Sequence, residues 1–162
     1  MSSSQKLLIF SGLALLIVAM GYGLWYAVFA EHQRLEQVGA SLATSFASAA
    51  SGDMQSSDRE LHAYGQAKYM YVREVDAHSH WGGLAILLLL FGAVFDRVGF
   101  AERIRLWLAV ALTASSFAFP LSVLLENLDH VQWPRVAAAV TSAILVVSMM
   151  TVAAGFAGHR EE

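Results

Sequence analysis

The sequence contains no cysteine, and that absence removes several chemistries at once. Covalent c-type haem attachment, thiolate-bound zinc, iron–sulfur clusters and a thiolate-bridged dinuclear copper centre all need a cysteine sulfur. Any metal must therefore rest on histidine, carboxylate or methionine. Charge is scarce too: 14% of residues are Asp, Glu, Lys or Arg, and a net charge of −3 leaves no basic stripe for a nucleic-acid backbone. Proline occurs only twice, so long helices meet few interruptions. Internal repeats, low-complexity tracts, a Gly-rich phosphate loop, a nucleophile elbow and a HExxH zinc motif are also missing.

Apolar side chains dominate instead, at 57% of the sequence with a mean hydropathy of +0.53, a balance that soluble domains of this size rarely show. A spanning helix needs about 20 predominantly apolar residues. The sequence supplies such runs at Leu7–Ala30, Trp81–Phe95, Ile104–Leu125 and Val136–Phe156. The second is short by itself, so Ala77–His80 belong to the same helix at headgroup depth, giving a span over 77–95. The expected fold is an all-α membrane protein, one domain over 1–162, with four transmembrane helices in a bundle. The first span follows Lys6 and is longer than the apolar region of a cleavable signal peptide, so it reads as a retained anchor.

Lys and Arg in short loops set orientation. The turn Asp96–Arg105 carries Arg97, Arg103 and Arg105, with Lys6 and Arg160 on the same side, which is therefore cytoplasmic. The segment 31–76 carries four basic and seven acidic residues and belongs outside. Trp25, Trp81 and Trp133 fall at outer helix ends and Trp107 at an inner one, as aromatic belts require. The localisation implied is a bacterial-type inner (plasma) membrane, multi-pass, with both termini cytoplasmic. Within 31–76, Leu35, Val38, Leu42, Phe46 and Ala49 describe an amphipathic helix that stops near Gly52 and lies on the membrane surface or caps the bundle. A second helix starts at Ser57, with Glu60 completing a capping box, and runs without proline into span 2; Gly65 is its weak point.

Five of the six histidines, His32, His62, His78, His80 and His130, lie on the outer side of this topology, and His159 on the inner. Four have a carboxylate four residues earlier: Asp58 before His62, Glu74 before His78, Asp76 before His80 and Glu126 before His130. Such pairs support helices with no further chemistry, or they hold the second ring nitrogen of a histidine whose first nitrogen binds a metal. His78 and His80 stand where a helix enters hydrocarbon, a depth at which ionisable groups default to function. Two residues apart on an α-helix they point about 200° apart, so they serve different sites. Gly82 and Gly83 below them admit a flat ring or another helix. Pro120 kinks span 3 on the way to Glu126, Asn127, Asp129 and His130, at similar depth.

The pattern His78-x-His80-x-Gly82-x-Leu84 at the start of an apolar helix resembles the His-x-His helix of the haem–copper oxidase superfamily, especially its C-type oxidase and nitric oxide reductase branches, and small membrane proteins sharing that helix. The resemblance covers about ten residues. It implies that His78 ligates a high-spin and His80 a low-spin haem. Spans 1, 3 and 4 hold no buried histidine, so oxygen or nitric oxide reduction is not implied; what is implied is haem b on the outer side, with His130 as partner ligand.

The expected function is thus a haem b-binding electron-transfer subunit of a respiratory or other redox complex, meeting the lipid bilayer and other membrane or periplasmic redox subunits. A quinol pocket lined by Tyr64, Tyr69, Tyr71 and Met70 is one reading of those residues, and an interfacial aromatic belt the other. Met20, Met149 and Met150 fill gaps inside spans. The alternatives are a copper or zinc site on His62, His78, His80 and His130, and a structural accessory subunit with no cofactor. The chain suits a subunit better than a complete enzyme.

Overall fold

The computed structural model describes residues 1–127 and 132–158. Among the described residues the regular structure is all helix, chiefly five α-helices: α1 (Ser3–Trp25), α2 (Glu31–Ala50), α3 (Met54–Val94), α4 (Glu102–Leu125) and α5 (Trp133–Ala157). A π-helical turn, Tyr26–Ala30, carries α1 directly into α2, and a 3₁₀ turn, Phe95–Arg97, follows α3. Four helical runs are long and apolar enough to cross a membrane: Ser3–Ala50, Met54–Arg97, Glu102–Leu125 and Trp133–Ala157. These contain the four spans expected from the sequence. The chain forms two compact units, Met1–Met20 with Asp76–Glu162, and Gly21–Val75.

In the second unit, α2 and the first half of α3 form an antiparallel hairpin. The turn between them follows from local chemistry. Gly52 takes φ 82°, open at little cost only to a residue without Cβ. It lets its own N–H reach Ala49 O (3.0 Å) and the Asp53 N–H reach Ser48 O (3.0 Å), closing α2 with a Schellman pair. Asp53 then caps α3: its carboxylate accepts the Ser56 N–H at 3.0 Å and the Ser56 hydroxyl at 2.6 Å. Those bonds hold the Asp53 carboxyl below its ordinary range.

One expectation is corrected here. The cap of α3 is Asp53, not Ser57; the Ser57 hydroxyl is instead within 3.1 Å of Ser45 across the hairpin. The expected helix that stops near Gly52 is α2, which forms one arm of this hairpin and follows α1 without a loop. The expected continuity through Gly65 holds, since α3 is one helix of 41 residues.

The first unit buries small and polar residues beside leucines such as Leu8, Leu15, Leu88 and Leu112, and leaves many large apolar side chains outward. Ser4, Gly12, Ser115, Ser116, Ser122, Ser148 and Gly155 are buried, whereas Phe10, Ile17, Met20, Val147 and Met150 are each more than 60% exposed. Small residues let helix backbones approach closely. Gly12 meets Leu89 and Ala85, and Gly92 meets Ile9, so α1 rests on the end of α3. The buried hydroxyls of Ser115 and Ser122 are satisfied by Ala111 O and Ala118 O one turn back. At the other end of α4, Glu102 accepts the Ser4 N–H at 3.0 Å and its hydroxyl at 3.2 Å.

Candidate functional site

Because α3 is uninterrupted across 78–80, its two histidines diverge as the helical geometry demands. His78 is half-buried, and its Nδ1 lies 3.1 Å from Ala19 O on α1. A carbonyl only accepts, so Nδ1 carries a proton in this bond. His80 is exposed and turns towards α4, its ring 4.9 Å from that of Phe119 at an interplanar angle of 56°. Between them, Trp81 donates its indole N–H to Phe117 O at 3.4 Å, in the turn that Pro120 loosens. That same turn leaves Ser116 Oγ buried without a partner.

Gly82 and Gly83, one turn further along, face open space: a Cβ built on either meets nothing within 4 Å. Close helix packing among the described residues is the task of Gly12, Gly92 and Gly155 instead. The sequence did not single these out.

No family model, curated protein or solved structure matches the chain. The residues themselves carry the functional reading.

Of the carboxylates expected to back the histidines, Glu74 is engaged by another helix. Glu74 is buried, and both its oxygens are held by Arg34, with Nη2 at 2.8 Å and Nε at 3.1 Å, a two-pronged bond from α2 instead of one to His78. No bond joins Asp76 to His80, or Asp58 to His62, among the described residues. Glu126 closes α4, its backbone N–H 3.2 Å from Ser122 O. His130 and His159 lie outside the described residues. His62 is exposed on the first half of α3. His32 does pair with a carboxylate, but with one four residues later: Nε2 is 3.1 Å from Glu36, both well exposed.

For a directly bound metal, the described residues bring no three His, Asp or Glu side chains together. Lys68 Nζ lies 5.7 Å from the Tyr64 ring centre and the Arg73 guanidinium 4.9 Å from that of Tyr69. Met70 lines an open groove of about 370 Å³ with Gln37, Ala40, Ala63, Gln66 and Ala67.

Arg34 was missed as the partner of Glu74. Its spacing to Val38, Ser41 and Ser45 marks it as facing a neighbouring helix, a signal available in the sequence.

Proposed function

We propose that this chain is a multi-pass membrane subunit of a redox complex, holding haem b through His78 on the outer side of the bilayer. The bond from His78 Nδ1 to Ala19 O carries this reading. Histidines that ligate a metal through one nitrogen regularly donate the other N–H to a backbone carbonyl, which fixes ring orientation and raises basicity. The open flank at Gly82 and Gly83, one turn along α3 from His78, suits a flat macrocycle. The described residues fit one axial imidazole; His130 is the sequence's candidate for the second. Bound haem supplies one-electron transfer. The chain's own task is to orient the ligand ring and keep water from it. The large apolar side chains that the first unit leaves exposed, Phe10, Ile17, Met20, Val147 and Met150 among them, support insertion in lipid.

Absorption spectra of the gently purified protein, oxidised and reduced, test the reading. A Soret band and a reduced α-band are expected in the wild type, with the α-band lost or shifted in His78→Ala. An unchanged spectrum in His78→Ala moves the ligand elsewhere. A second reading, a structural accessory subunit, is favoured by Glu74 serving Arg34 in place of the imidazole. It stands if neither haem nor near-stoichiometric copper or zinc is found.

A further inference from the structure

Within the first unit, α1 and the end of α3 run antiparallel and touch. A Cβ on Gly92 would meet Ile9, and one on Gly12 would meet Leu89 and the Ala85 carbonyl, so 9 and 12 of α1 face 85, 89 and 92 of α3. Steps of three and four extend the α1 line to 5, 9, 12 and 16. A residue just before a line position is turned about 100° one way, and a residue just after it about 100° the other. The two flanks differ. On the preceding flank, 4, 8, 11 and 15 of α1 and 84, 88 and 91 of α3 are all buried or half-buried, and α4 reaches it where Glu102 accepts the bonds from Ser4. On the following flank, 6, 10, 13 and 17 and 86, 90 and 93 are all exposed. The following positions of an antiparallel pair share one side. Phe10, Leu13 and Ile17 therefore line one apolar groove with Ile86, Leu90 and Ala93, and the five larger of these are 46% to 72% exposed.

One end of the groove is basic. Lys6 continues the α1 stripe one turn before Phe10, and Arg97, exposed in the 3₁₀ turn after α3, continues the other one turn after Ala93. Both stand at the same end, because the facing of 9 and 92 brings the start of α1 to the end of α3. No described residue pairs with either, whereas Arg105 nearby is held by Glu102 and the Asp96 carbonyl. Across 1–6 and 95–105 the side chains Lys6, Arg97, Arg103 and Arg105 outnumber Asp96 and Glu102, so this end is positive. From Lys6 to Ile17 the helix rises about 16 Å, close to the roughly 15 Å depth of hydrocarbon in one leaflet.

We infer that this groove binds an anionic phospholipid of the inner leaflet, its phosphate between Lys6 and Arg97 and an acyl chain lying along Phe10, Leu13 and Leu90. Basic groups between helix ends at the cytoplasmic surface hold anionic headgroups in this way. A zwitterionic lipid fits the apolar part as well, but its headgroup cation is repelled by the two basic side chains. The inference rests on the chain lying in a membrane with this end inside, and it is independent of haem.

Native mass spectrometry of the detergent-purified protein tests it, with dioleoyl phosphatidylglycerol or dioleoyl phosphatidylcholine added. The wild type should retain phosphatidylglycerol several-fold better than phosphatidylcholine, and its thermal midpoint should rise with the anionic lipid but not with inorganic phosphate. Lys6→Gln combined with Arg97→Gln should weaken retention by about tenfold or more. Ala93→Trp, which fills the groove without changing charge, should weaken it too. Arg135→Gln, at the start of α5, should leave it intact, with helix content by circular dichroism confirming that every variant is folded. Equal retention of the two lipids, unchanged retention in the Lys6→Gln/Arg97→Gln variant, or equal protection by inorganic phosphate would each overturn the inference. Extraction from membranes by alkaline carbonate without detergent would instead remove the membrane reading on which it rests.

Discussion

A methyl group at Gly92 would come within 2.6 Å of Ile9 Cγ1 and 3.2 Å of the Ile9 nitrogen, and one at Gly12 within 2.8 Å of Leu89 Cγ and 3.1 Å of Ala85 O. Backbone cannot yield as a side-chain tip does. Gly92→Ala and Gly12→Ala should therefore each destabilise the fold by about 1–3 kcal/mol, measured by thermal or denaturant unfolding in detergent. Gly82→Ala and Gly83→Ala should instead be neutral, or stabilising by up to about 1 kcal/mol, through helix propensity alone. Substituting leucine at both separates packing from ligand access: helix content should stay, while haem loading falls. In the sequence the Gly82–Gly83 pair stood out because it follows two histidines. Gly12 and Gly92 look like any glycine in an apolar run, and their part becomes visible only when the facing helix is known.

At the scale of elements, the end of α2 and the continuity of α3 were legible, and the start of α3 and the hairpin's cross-links were not. Gly52 between two polar stretches marked the end of α2, and the lack of proline from 54 to 94 marked the continuity of α3, because both are local backbone effects. The Arg34–Glu74 bond joins residues 40 apart, and the π turn at Tyr26–Ala30 has no signature in its five residues, so neither could be read locally. Glu74 keeps 11% side-chain exposure and Arg34 29%, so removing the guanidinium leaves a carboxylate largely without water. Arg34→Ala should cost about 2–3 kcal/mol, and Arg34→Leu combined with Glu74→Leu should recover most of it, as seen by urea unfolding. Asp53 adds a pH dependence. Its folded pKa lies below the unfolded value, so its cap contributes fully above the ordinary carboxylate range and is lost as pH falls through the lowered value. Helix loss on acidification below about pH 4 should be smaller in Asp53→Asn, which caps without titrating.

For the whole molecule, composition and the spacing of apolar runs were enough to find four helices able to cross a membrane, because lipid selects for length and hydropathy and little else. Which histidine meets which helix was not legible, since His78 finds a carbonyl on α1 and His80 a ring on α4. The proposed orientation puts the hairpin turn outside and the turn before α4 inside. Single cysteines at Ser51 and Ala101 test it: an impermeant thiol reagent should label Ser51→Cys but not Ala101→Cys in intact cells, and the reverse pattern inverts the topology.

The large apolar side chains that face outward, Phe10, Ile17, Met20, Val147 and Met150 among them, also bear on calorimetry. The heat capacity of unfolding measures apolar surface newly given to water, about 12–15 cal/mol/K per residue in soluble proteins. When these helices separate in a detergent micelle, their outward faces are already solvated by hydrocarbon, and the side chains they uncover, Leu8, Leu15, Leu88 and Leu112 beside Ser115 and Ser148, pass to detergent tails instead of water. The heat capacity increment should therefore fall well below the soluble range, and the stability curve should be flat, with no cold unfolding within reach of experiment.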